Sequence, residues 1–309
     1  MQSHFKVFPL LIAVLFTLPT FGQSEKTLAE QLGYSKDAKL LIVHADDLGV
    51  AHSQNLASTD AFAKGMVNSG SIMVPCPWFP EIAAYSRAHP KTDLGLHLTL
   101  TSEWKNYKWS PVLSPAEVPG LVNGEGFLYA SCEEVNQHAS PEDVEKEIRA
   151  QITRAKAFGI NPSHLDTHMG CLMTPDYFPI YLKMGREYHL PVLLPKNILE
   201  QAPDYKKFLP KGVLLIDRLI MANPNDEKNG VEAFYTKVLK SLQPGVTEII
   251  VHLAYDNAEM KAVAIDHPDY GAAWRNRDFD FFTSEACRKL LKQEGIQLIT
   301  WRKIGQLLD

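Results

Sequence analysis

Leu40-Leu41-Ile42-Val43-His44-Ala45-Asp46-Asp47-Leu48-Gly49 decides how this chain is read. Residues 40–44 form a short apolar run, the pattern of a strand buried on both faces, and the run stops on two carboxylates and a glycine. Residues 54–64 follow with helical spacing, and further apolar runs come at 70–74 and 94–98. Strand, helix and strand in succession mean βαβ units and a mostly parallel sheet. Farther on, strands are expected near His164 and at 190–194, 213–216, 248–253 and 297–300, with helices between them. The clearest helix covers 141–158. Ser140 is its N-cap, Pro141 its first residue, Glu142 and Asp143 charge its first turn, and Gly159 ends it. Some seven or eight strands predict an α/β fold, a TIM-like (β/α) barrel, in preference to an open doubly wound sheet.

The chain has 309 residues, 45% of them hydrophobic and 22% charged, ordinary for one barrel domain. A net charge of -5 offers no clustered basic face for nucleic acid. Residues 1–22 read as a cleavable signal peptide. Lys6 precedes an apolar run over 8–18 that is too short to span a bilayer, and Thr20 and Gly22 stand at the −3 and −1 positions before Gln23. Residues 23–309 are then a single exported domain, periplasmic or secreted, without a membrane span. Cys76, Cys132, Cys171 and Cys287 show no CxxC spacing. They can form up to two disulfides or remain buried thiols.

Polar residues gather at the ends of the expected strands, where α/β proteins build their sites. Asp46 and Asp47 repel each other unless a cation or a shared proton relieves them, or they only make an Asx turn completed by Gly49. Gly95-Leu96-His97-Leu98-Thr99 holds a histidine that alone would read as a bonded core residue. In His164-Leu165-Asp166-Thr167-His168 the alternation of a strand puts three polar side chains on one face. Glu248-Ile249-Ile250-Val251-His252 ends a further strand on histidine. Together these residues supply a carboxylate and two imidazoles for a divalent metal, with an acid and a base left over for hydrolysis. Residues 101–139 break the rhythm. Their aromatics, Trp104 and Trp109 among them, form either a sugar-stacking platform or a satellite core. Asp256, Arg275, Arg277 and Asp278 read either as substrate contacts or, more simply, as a solvated loop.

In that order, His-Ala-Asp-Asp-Leu-Gly, Gly-Leu-His-Leu-Thr, His-Leu-Asp-Thr-His and Glu-Ile-Ile-Val-His resemble the YdjC-like carbohydrate deacetylases, over nearly the whole mature chain. The loop at 113–119 and the closing Leu298-Ile299-Thr300-Trp301-Arg302 are also similar. The resemblance implies a (β/α)-barrel-like fold and removal of acetyl from N-acetylglucosamine units of short chitin-type oligosaccharides. It implies Asp47, His97 and His168 as metal ligands, Asp46 as the base acting on water and His252 as the acid. His164 and Asp166 would line or orient the site. It suggests magnesium, although imidazole ligands suit zinc as well. The chain departs from the pattern at Met169 and Gly170, where further histidines are usual, and at Leu253, where proline is usual.

A two-histidine, one-carboxylate set also serves non-haem iron oxygenases, and ester or phosphoester hydrolysis can use a similar centre. A sugar-binding protein without catalysis is the reading from another class. The expected partners are a carbohydrate and, at most, a second copy of the chain as a homodimer.

Overall fold

The computed structural model describes residues 26–227 and 230–308, so the proposed leader lies outside the described residues. Among the described residues, seven parallel strands build one sheet. They are β1 (Lys39–Leu48), β2 (Ser69–Ile72), β3 (Leu94–Leu98), β4 (Leu165–Thr167), β5 (Arg218–Met221), β6 (Gly245–Val251) and β7 (Gln297–Leu298). The order along the sheet is β4-β3-β2-β1-β6-β5, with β7 paired to the start of β1. Single parallel bridges, Leu165 to Val192 and Pro195 to Ile216, carry the path on from β4 toward β5. The strands therefore run round a barrel with helices outside, the TIM-like α/β fold expected.

The expected strands at 190–194 and 213–216 are reduced to those bridges, and the ladder strand comes later, at Arg218–Met221. Pro191, Pro195 and Pro210 have no N–H to give a ladder, which keeps this stretch irregular. The helix over Pro141–Ala157 stands as expected, with Ser140 Oγ accepting from Asp143 N at 3.1 Å. The helix expected over 54–64 begins earlier and spans His52–Lys64. Its first N–H groups are capped by a distant side chain, Glu259, whose carboxylate accepts from His52 N at 3.1 Å and Ser53 N at 2.7 Å. A cap that far along the chain leaves no local signal.

Alternation along β1 sorts its residues between two faces. Leu41, Val43 and Ala45 join the large core beneath the helices. Leu40 and Ile42 instead join a small cluster with Val246, Ile216, Ile299 and Trp301 that fills the lower barrel. Next on that inner face come His44 and Asp46, both buried. The β1–β2 register slips between Ala45 and Leu48. At that irregularity Asp47 has φ 63° and Gly49 φ 98°, an unusual conformation for a residue with a Cβ.

Candidate active site

The slip at the end of β1 delivers Asp47 to the mouth of the barrel, where it meets residues from β3 and from the turn after β4. Asp47 Oδ1 lies 3.4 Å from His97 Nε2 and 3.4 Å from His168 Nδ1, and those two nitrogens are 3.2 Å apart. All three residues are buried. Two donors bonded to one ion at metal–ligand lengths of roughly 2.1 Å stand about 3.0–3.4 Å apart, so the spacing is that of a shared coordination sphere. Asp47 Oδ1 is buried and has no hydrogen-bond partner, which an ion at this point would supply. The surrounding field favours positive charge too. Burial opposes protonation of His97 and His168, yet Asp46 and Asp166 around the first and Glu103 beside the second raise both, His168 to about 9. The residues thus fit a divalent cation.

The neighbours of these three groups fix their directions. Arg275 Nη2 donates to Asp47 Oδ2 at 2.9 Å. Burial works against the charge on Asp47, but the Arg275 guanidinium holds its carboxyl well below the usual range. His97 Nδ1 is 2.7 Å from Asp166 Oδ1, and His168 Nε2 is 3.0 Å from Glu103 Oε2. A carboxylate on the far nitrogen of a ligating imidazole sets its tautomer and ring orientation.

Asp46 stands beside the triad, with Oδ2 3.9 Å from His97 Nε2. Its Oδ1 accepts from Ser71 Oγ at 3.2 Å and lies 3.1 Å from His44 Nε2. His252 Nε2 is 3.8 Å from Asp47 Oδ2, and its backbone N donates to Asp278 Oδ2 at 3.1 Å. Burial pushes the imidazole down to about 4, Asp47 opposing and Arg275 assisting, so at neutral pH the resting ring is uncharged.

His164 is brought in one layer lower. Its ring stacks on Trp301 with centroids 5.0 Å apart and meets His44 edge-on at 5.0 Å. It reaches Asp166 Oδ2 only at 3.7 Å, so it supports that carboxylate from below and does not line the mouth.

Two expectations need correction. Trp104 and Trp109 are 4% and 2% exposed, with ring centroids 6.1 Å apart, so their faces are spent on the protein and offer no open platform. They join the main core, in one cluster with Val118, Leu121, Leu128 and the β1 residues Leu41 and Val43, so the loop does not cover a separate satellite core either. Even so both touch site residues: Trp109 packs on His168 at 6.5 Å, and Trp104 lies under the Arg275 guanidinium at 5.4 Å. Arg275 and Asp278 are not solvated. They are 2% and 1% exposed on the helix Ala272–Phe282, because their charges are met by Asp47 and by Tyr235 and His252. Asp256 is exposed in a loop, as expected, and Arg277 is exposed but stands on the same helix as Arg275.

Three contributors carry little or no mark in the sequence. His44 sits within reach of Asp46 and Asp166, at 3.1 and 3.2 Å. Glu103 is hidden among the loop aromatics, and Arg275 is 228 residues from Asp47. Only His44, a histidine inside an apolar run, has a local sign. Of the cysteines, Cys132 and Cys171 are joined and Cys76 and Cys287 are buried free thiols, so the two readings of the cysteines each hold for one pair.

Comparison with known proteins agrees with this picture. Over 293 residues the chain is 31% identical to a carbohydrate deacetylase of Thermus thermophilus, covering 91% of this chain and 99% of the relative. It is 26% identical to a chitooligosaccharide deacetylase of Yersinia enterocolitica, covering 84% of this chain and 97% of that one. A crystal structure from Enterococcus faecalis, described as a candidate cellobiose-phosphate cleavage protein, superposes with a TM-score of 0.71 at 24% identity, covering 85% of this chain and 98% of the other. That likeness concerns the fold. The sequence pattern of the YdjC-like proteins matches residues 40–293, which span all four site motifs, and the chain is a member of the YdjC-like protein family.

Proposed function

We propose that this protein removes acetyl groups from an N-acetylated sugar or short chitin-like oligosaccharide by divalent-metal-assisted hydrolysis, releasing acetate and an amino sugar. The observation that carries the reading is the meeting of Asp47 Oδ1, His97 Nε2 and His168 Nδ1 at 3.2–3.4 Å around an unpartnered carboxylate oxygen. The names of the relatives, carbohydrate and chitooligosaccharide deacetylases, support the substrate class.

Asp47, His97 and His168 would hold the ion, which supplies Lewis acidity to polarise the acetyl carbonyl and to acidify water. Magnesium follows from the family resemblance, while two imidazoles suit zinc equally. Asp46, fixed by Ser71 and His44, accepts the proton of the attacking water. His252 delivers a proton to the departing sugar nitrogen. Since it rests uncharged, the proton it delivers is one gained during turnover. Arg275 keeps Asp47 ionised and fixed, and Asp166 keeps the His97 ring turned toward Asp47. A carboxylate and an imidazole left free beside the triad favour hydrolysis over oxygen chemistry on the same donor set.

The test is acetate release from N-acetylglucosamine, its short β-linked oligomers and O-acetylated sugars. Activity should vanish on chelation and return with a divalent metal. His97→Ala and His168→Ala should lose bound metal and turnover together. Asp46→Asn should keep the metal and lose about 10²–10⁴ in rate. No acetate from any of these sugars by metal-loaded protein overturns the function, and equal metal loss in all three variants overturns the division of roles.

A further inference from the structure

The two imidazoles of the triad are held in matching ways. Each turns one nitrogen toward Asp47 and the other toward a carboxylate, Asp166 at 2.7 Å for His97 and Glu103 at 3.0 Å for His168. Asp166 belongs to a strand and to a motif that is legible in the sequence. Glu103 lies in the long loop after β3, where the aromatic residues around it are the more conspicuous.

The loop holds Glu103 in place from both sides. Ser102 N donates to Tyr129 O at 2.7 Å, and Ser102 O accepts from Lys108 Nζ at 2.6 Å. Trp109 N donates to Ser102 Oγ at 3.1 Å, and Trp109 Nε1 donates to Thr101 O at 2.8 Å. The Trp104 ring, next in the chain, packs under Arg275. The Glu103 side chain is only 13% exposed, where burial works against a carboxylate. An acid buried at that cost in a loop, with one oxygen directed at a site imidazole, requires an explanation.

We infer that Glu103 is a positioning residue for the metal centre: by accepting from His168 Nε2–H it fixes the tautomer in which the Nδ1 lone pair faces Asp47 and His97. This rests on the metal reading given above. The loop at 101–109 then acts as an outer clamp on the centre. Glu103 reaches one ligand directly, and Trp104 reaches another, Asp47, through Arg275. The buried indoles have a role under this inference as the packing that holds the clamp shut.

Cobalt(II) is the probe, since its visible spectrum reports ligand geometry and its binding can be titrated without turnover. Glu103→Ala is expected to bind cobalt about 10–100-fold more weakly, with altered visible bands. Glu103→Gln keeps an acceptor of the same shape and is expected to lose less affinity, with a smaller shift of the bands. In kinetics the loss should fall on kcat, with KM for the sugar little changed. A folded Glu103→Ala protein with wild-type cobalt affinity and spectrum overturns the inference. If that variant fails to fold, Glu103→Met, close in size and without an oxygen to accept the bond, takes its place, and wild-type affinity and bands in it overturn the inference equally. His168→Ala separates the two levels. Loss of cobalt there but not in Glu103→Ala sinks only the role of Glu103, and no loss in either sinks the metal reading with it.

Discussion

Asp47 carries two constraints on one side chain. Its backbone, at φ 63°, is held where a residue with a Cβ loses on the order of 1–3 kcal/mol. Its carboxylate divides its oxygens, Oδ2 to Arg275 at 2.9 Å and Oδ1 to the two imidazoles. Arg275 and a bound cation would therefore share the neutralisation of one buried charge. Arg275→Ala should destabilise the metal-free protein by about 3–5 kcal/mol, the usual result of stripping one partner from a buried pair. With saturating divalent metal the gap between variant and wild type should narrow, since the ion compensates Asp47 and binds only the folded state. Urea unfolding with and without metal measures both gaps. Gaps of equal size would mean that Asp47 is not shared between the arginine and an ion.

At the scale of elements, the helix Ala272–Phe282 does more than cover the barrel. Arg275 and Asp278, three residues apart, lie on one face of it and both enter the site region. Burial pushes Asp278 from 3.8 up to about 7, against the hydrogen bonds that it accepts from His252 N and Tyr235 OH. The sign follows from proton binding. Between pH 4 and 7, roughly, the folded chain holds a proton at Asp278 that the unfolded chain releases, so stability falls as pH rises through that window. The full effect is on the order of 4 kcal/mol. Asp278→Asn should remove this part of the slope, so that the variant gains on wild type between about pH 5 and pH 7.5 in denaturant unfolding. Parallel stability–pH curves for the two proteins would show that Asp278 is not a strained acid. The same helix shows where sequence reading stops. A charged residue in a polar stretch reads as solvated, and only the fold reveals that Asp47 and His252 have come to meet it. Glu259 at the start of His52–Lys64 is the same case, a cap invisible because its helix is 206 residues away from it at the nearer bond.

Over the whole molecule, what was legible was what depends on neighbours in the chain. The apolar run and carboxylates of β1, the strand Leu94–Leu98 and the capped helix Pro141–Ala157 each follow from local spacing, and with them came the barrel; the choice of Asp47, His97 and His168 as the triad came from the resemblance to the YdjC-like proteins. What was hidden, Glu103, Arg275 and the buried indoles, gains its meaning only from packing across the barrel mouth. The Cys132–Cys171 disulfide belongs with these, because spacing alone could not pair the cysteines. It ties the helix Cys132–His138 to the turn His168–Met173, which begins with a residue of the triad. A cross-link over a separation of 39 residues stabilises by about 3–4 kcal/mol in the chain-entropy account, and such bonds persist in oxidising compartments. That chemistry supports the export proposed from residues 1–22. Protein recovered from the periplasm or the medium of producing cells should begin at Gln23 by intact-mass measurement. Alkylation before and after reduction should find Cys132 and Cys171 blocked and Cys76 and Cys287 as free thiols. Reduction should loosen the turn that carries His168, lowering metal affinity along with stability. Recovery of the chain only inside the cell, beginning at Met1 with all four thiols free, would sink the export proposal and leave the barrel and its triad untouched.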